Sequence, residues 1–187
     1  TSDARVLDGG SRFLTAAERA ADFIRDHLRR PDGRLLHCWR GDAANIPAYL
    51  DDYAYLINAL VSLYEASFDE RRIDDAVSLA DTMLRHFSDL DDGGFFFTAD
   101  DAEPLLVRTK EVTDGAIPSG NSVALMNLLR LSAMLERDDL RGRAEELIKA
   151  VAGNVEQSPF GFDRFLAGVD FYHGPTREVV IAGPPSD

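Results

Sequence analysis

Three aspartates stand out in the sequence because of where they fall. Asp51 and Asp52 are adjacent at the start of an apolar segment, and Asp114 precedes a second such segment. Two carboxylates facing one another across a cavity supply the acid and the base that glycoside hydrolysis needs. Carboxylates at helix starts also have a purely structural use, since they accept the free N–H groups there and are favoured by the helix dipole. Adjacent helical residues point in different directions, so one of Asp51 and Asp52 can cap while the other faces a ligand.

Around these acids lie groups suited to hold a ligand. Arg108, Lys110 and Glu111 occupy an extended segment, and strand alternation places Arg108 and Lys110 on one side. Two cations on one face can hold a carboxylate or phosphate, or can pair with the surplus acid of the chain. Ser119, Gly120 and Asn121 form a small, polar helix start after Pro118, whose free N–H groups suit an anion or a capping serine. Trp39, Tyr49, Tyr53 and Tyr55 offer flat rings for stacking on sugars. Tyr53 also lies on a core stripe and is expected to pack there.

Other chemistries are disfavoured. His27 and His86 fall late in helices, where the dipole stabilises them. His37 lies on a strand and His173 follows the last helix, so no histidine is expected at the start of a buried helix. This weighs against histidine acid–base chemistry of the epimerase kind, with His37 and His173 as the exceptions to watch. No His-Glu-x-x-His spacing and no glycine-rich phosphate loop occurs, so no metal and no cofactor is expected. Cys38 is the single cysteine. It excludes an internal disulfide framework and fits a reducing, cytoplasmic setting. The net charge of −13, with basic residues scattered, argues against nucleic acid and anionic membranes as partners. No apolar run is long enough to cross a bilayer, and residues 1–10 lack the pattern of a secretory leader.

The elements that must position these residues follow from hydrophobic period. Thr15 and Glu18 suggest a capping box opening a helix over 16–29. A strand follows over 34–39. Helices are expected over 48–67, with Leu50, Tyr53, Ala54, Ile57, Leu60, Val61 and Tyr64 on one face, and over 72–87, with a cleaner stripe through Ile73, Ala76, Ala80, Met83 and Phe87. Residues 95–98 read as a strand and 104–110 as extended. A fourth helix begins near Pro118 and is apolar nearly all round, so it must be buried on most sides. A fifth covers 140–152, a short sixth lies within 159–172, and 177–183 reads as a strand. Buried helices thus alternate with one-sided ones in pairs that start about 70 residues apart, a repeat of helical hairpins. Two concentric layers of helices require that alternation, as does an open solenoid.

Three motifs resemble a known family: Tyr49-Leu50-Asp51-Asp52-Tyr53-Ala54-Tyr55-Leu56, Asp92-Gly93-Gly94-Phe95-Phe96-Phe97-Thr98, and the long segment from Arg108 to Ser122. Together they are similar to the YyaL family, also called DUF255 or the spermatogenesis-associated protein 20 family. The resemblance implies a mainly α fold, an α/α toroid of the six-hairpin type, with short strands or β-hairpins between helix pairs. With about six helices the chain corresponds to about half a ring. It implies residues 1–187 as one partial toroid domain, with 174–187 as the start of a following segment. Members also carry a thioredoxin-like domain, but no Cys-x-x-Cys occurs here, so redox chemistry does not transfer. In the toroids it resembles, inner-helix ends line a central cavity. A sugar or sugar acid is therefore the expected ligand, handled by a glycosidase-like or epimerase-like enzyme or held by a non-catalytic scaffold. A half ring also implies association with another chain or with the remainder of the ring.

Overall fold

A computed structural model describes residues 10–103 and 106–175. It contains α1 (Gly10–His27), β1 (Leu36–Arg40), β2 (Ala43–Pro47), α2 (Leu50–Ser67), α3 (Glu70–Phe87), α4 (Gly120–Leu135), α5 (Asp138–Gln157), a single 3-10 turn (Pro159–Gly161) and α6 (Asp163–His173). The fold is mainly α. The strand expected over 177–183 lies outside the described residues.

The helices form two layers. α2 packs against α4, and α4 against α6, as a row of inner helices, while α3 backs α2 and α5 backs α4. α1 packs against α2 and is tied to α3 by Arg72–Asp22 at 2.6 Å, and Arg29, just beyond its end, pairs with Asp75 of α3 at 2.8 Å. The predicted alternation is present. α4 buries Val123, Ala124, Leu125, Leu128, Leu129 and Leu131 on several sides, whereas α5 buries Leu140, Ala144, Leu147 and Val151 along one stripe. Each buried Leu or Val among these contributes roughly 1.5–3 kcal/mol by leaving water. Where inner helices approach most closely, no side chain fits. A Cβ on Gly168 of α6 would stand 2.8 Å from Leu125 of α4, and one on Gly120 of α4 would collide with Asp51 of α2.

Three local expectations are corrected. α1 begins at Gly10, so Thr15 is inside the helix and does not cap it. Nothing in residues 11–14 breaks a helix, and each added residue gains a hydrogen bond once a turn exists. The strand over 34–39 is half of a β-hairpin: β1 pairs antiparallel with β2, an element the apolar pattern does not mark. Gly41 and Asp42 form the turn with φ of 59° and 61°, the positive values that a two-residue hairpin demands. Residues 95–98 form no strand, only an isolated bridge between Ser88 and Phe95. Their main-chain groups go to different segments: Phe95 to the Asn121 side chain, Phe96 N–H to Phe87 O, and Phe97 to Thr109 and Leu50. With partners so dispersed, no ladder can form.

Inner helices turn into outer ones through two-residue corners. Phe68 leaves α2 with φ 57° and ψ 24°, and Glu136 leaves α4 with φ 52° and ψ 38°. Both are left-handed, a conformation that glycine adopts without steric cost and other residues do not. Glu136 is exposed. Glu136→Gly is therefore expected to raise stability by about 0.5–1 kcal/mol, measured by urea unfolding with an unchanged slope.

Candidate functional site

The amino ends of the three inner helices lie together at one end of the layer, held there by carboxylates. Asp114, on the loop before α4, divides its oxygens between two helices. Oδ1 accepts the Ser119 N–H at 2.9 Å, and Oδ2 accepts the N–H groups of Arg164 and Phe165 at 2.8 and 3.3 Å. α6 has no side-chain cap of its own, so Asp114 supplies it. Ser119 caps α4 by accepting the Ser122 N–H at 3.1 Å. On α2, Asp52 accepts the Tyr49 N–H at 2.8 Å and holds His37 Nδ1 at 2.9 Å. His37 of β1 therefore sits at an inner-helix start, where a histidine can take part in acid–base work. The Tyr49 ring stacks on Phe97 beside it, centroids 4.8 Å apart and 11° from parallel.

Asp51 differs from its neighbour. Burial pushes its carboxyl above the usual carboxylate range, with the charges of Glu111 and Asp52 adding to the effect and the Gly120 N–H opposing it. The Asp51 carboxyl thus reaches the first turn of α4 from the neighbouring helix, and it holds its proton more firmly than an ordinary aspartate. One turn deeper, the Tyr55 hydroxyl donates to Pro118 O at 2.8 Å. Burial raises the phenol, and the charges of Asp51 and Asp114 raise it further, against Arg164.

The structure brings Asp51, Asp52, Asp114, Glu111, Ser119 and Asn121 to these helix ends. Asn121 is fully buried and works on the main chain, pairing with both polar groups of Phe95 and donating to Glu111 O at 2.9 Å. The remaining candidates go elsewhere. Tyr53 is in the core, where its hydroxyl accepts the Leu35 N–H at 2.9 Å. Trp39 packs against His27 and Phe23 of α1. Arg108 and Lys110 do share a side, but that side is the Phe96 ring, which Arg108 covers at 4.1 Å and Lys110 at 5.5 Å. Arg108 then donates to Thr98 O and His86 O, and Lys110 pairs with Asp89 at 2.7 Å, holding that carboxyl below the usual range.

A polar stripe on α2 escapes the apolar pattern. Asp51, Tyr55, Asn58, Ser62 and Glu65 recur at helical spacing along one face of a helix that is otherwise buried. Arg130 of α4 reaches Asn58 at 3.2 Å and Glu65 at 2.7 Å, and Arg164 of α6 reaches Asn58 at 3.4 Å. The signal was the spacing of the polar residues, which the search for apolar stripes passes over. Elsewhere, His86, Asp100 and Asp101 place ligand atoms within 4.8 Å of one another. Arg34 already holds Asp101 at 2.7 and 2.9 Å, and its charge opposes a cation there.

Two rows of alternating helices with the inner amino ends gathered at one end define an α/α toroid. Cellobiose 2-epimerase from Spirochaeta thermophila is similar in structure, with a TM-score of 0.63 and 22% identity, over 80% of this chain and 39% of that one. In sequence, the chain resembles spermatogenesis-associated protein 20. It is 30% identical to the rat protein over 187 residues, and 29% identical to the human protein over 185. An uncharacterized protein of Caenorhabditis elegans, B0495.5, is 29% identical over 186 residues. The chain covers 95% of its own length but spans only 24% of the rat relative. No protein-family model matches it.

Replacing Asp51 tests its environment. The raised pKa means that ionised Asp51 weakens the fold; the penalty is complete above its folded pKa and vanishes below about pH 4, where the group is protonated in both states. Asp51→Asn keeps an oxygen for the Gly120 N–H. It is expected to raise the melting temperature by about 1–3 °C at pH 7 and to leave it unchanged at pH 3.5, by calorimetry at both values.

Proposed function

We propose that this chain is part of an α/α toroid that binds a carbohydrate or sugar acid at the gathered amino ends of α2, α4 and α6, with Asp51 exchanging a proton with the ligand. The observation that carries this reading is the state of Asp51. A half-buried carboxyl at the gathered helix ends, in contact with the Gly120 N–H and raised above the usual range by burial and the charge of Glu111, is a general acid–base candidate rather than an ordinary surface acid. His37 adds to it, because a histidine oriented through Nδ1 by a carboxylate keeps Nε2 for a second partner. An epimerase or isomerase needs such a group to move a proton next to a carbonyl, and a glycosidase needs one to protonate the departing oxygen. The similar fold of a sugar epimerase puts cellobiose and its constituents at the head of the ligands to try.

A non-catalytic scaffold is the second reading. It is favoured by Asp52 and Asp114, whose oxygens accept main-chain N–H groups. A thermal-shift screen of neutral sugars, sugar acids and cellobiose separates the two. Stabilisation that disappears in Asp51→Asn is the result expected for the ligand site. A flat response across the whole panel would favour the scaffold.

The same reading gives the flanks of the helix row a partner, either another chain or the rest of a ring. Among the described residues α6 packs against α4, while Leu166 and Phe171 stay more than a third exposed. Light scattering of the chain at increasing concentration is expected to show association; a monomer throughout would remove this part of the proposal.

A further inference from the structure

Asn58 accepts hydrogen bonds from two guanidinium groups at once, Arg130 at 3.2 Å and Arg164 at 3.4 Å. Two positive charges therefore converge on one neutral oxygen. Arg130 has Glu65 at 2.7 Å and the Ser62 hydroxyl at 3.4 Å. Arg164 makes no ion pair with any carboxylate among the described residues, and its contact with Asn58 is long for a hydrogen bond. The chain carries a net charge of −13, and most arginines of the described residues find an acid; Arg164, though partly buried, is among those that do not.

The arrangement suits a guest with a negative charge. Guanidinium is a fixed planar fork that matches carboxylate and phosphate oxygens two at a time, and its fit to a lone amide oxygen is poor. Asn58 and Ser62 orient the Arg130 fork, whose charge Glu65 already meets, while Arg164 meets only the neutral Asn58 oxygen. The Arg130 side chain is only 15% exposed, so screening by water is weak and a charge placed there interacts strongly. The geometry points to an anion-binding site on the inner face, where Arg164 and Arg130 clamp the carboxylate or phosphate of a small ligand. From Asn58 to Asp51 is seven residues of helix, a rise of about 10 Å. A disaccharide-sized ligand spans that distance, with its charged end on the arginines and its other end at Asp51. This inference rests on the ligand reading above and names the class of ligand: a sugar acid or a sugar phosphate.

Titration calorimetry and thermal shift with glucuronate, cellobionate, glucose 6-phosphate, inorganic phosphate and neutral cellobiose test it, using the chain, Arg164→Gln and Arg164→Lys. An acidic sugar is expected to bind at least tenfold more tightly than cellobiose and to weaken as salt rises. Arg164→Gln should lose about tenfold or more in that affinity, and Arg164→Lys should recover only part of it. Glucuronate and cellobionate against glucose 6-phosphate tell the two anions apart. Inorganic phosphate binding with the same loss in Arg164→Gln, and no sugar preference, would uphold the anion site while removing the sugar. Cellobiose binding without any gain from acidic groups would overturn the inference and leave the sugar site standing. Silence across every compound would end both. The free Arg164→Gln protein should melt within a degree or two of the parent; a loss of several degrees with binding intact would make Arg164 a structural residue and overturn the proposal.

Discussion

One carboxylate holds two helices level. Asp114 gives one oxygen to the start of α4 and the other to the start of α6. Apolar packing alone lets neighbouring helices slide, because a leucine fits many grooves. Hydrogen bonds to the first N–H groups do not allow it, since a shift of one residue moves a helix by about 1.5 Å and breaks them. Asp51 plays the equivalent part between α2 and α4 through Gly120, and the absent side chains of Gly120 and Gly168 let the helices come close enough for it. The common level of the inner helix ends, and with it any site there, depends on these contacts.

The same arrangement places Asp51, Asp52, Glu111 and Asp114 at one end of the protein. Mutual repulsion would make such a group costly in isolation. The positive ends of three helix dipoles offset part of it, and Asp52 and Asp114 are further stabilised by the N–H groups they accept. Asp51 has a single N–H against burial and two neighbouring charges, which raises its carboxyl above the usual range. The adjacent residues Asp51 and Asp52 thus meet different partners, Gly120 for one and Tyr49 and His37 for the other, because they point different ways on the first turn of α2.

Much of the architecture was legible in the sequence. The buried character of α4 and the single stripe of α5 follow directly from their residues, and so does the spacing of helix pairs. The long motif from Arg108 to Ser122 marked the loop that carries Asp114. What was not legible depended on distant partners. Phe95 to Phe97 have strand-like composition, yet their main-chain groups pair with Asn121, Phe87, Leu50 and Thr109, which no local pattern reveals. Arg108 and Lys110 do project to the same side, but sequence could not say that Phe96 lies beneath them. His37 reaches the α2 start through the β1–β2 hairpin, whose Gly41-Asp42 turn was a readable signal. The convergence of Arg130 and Arg164 on Asn58 links residues 72 and 106 positions apart, beyond any single-helix pattern.

The corners after α2 and α4 bear on shape. Each is two residues long and opens with a left-handed residue, so each outer helix returns along its inner partner through the same local geometry. Angular offsets of alternating sign between hairpins would cancel and give a flat wall; offsets of constant sign accumulate. Corners of one kind, repeated from hairpin to hairpin, are what a row of such units needs if it is to bend in one direction toward closure.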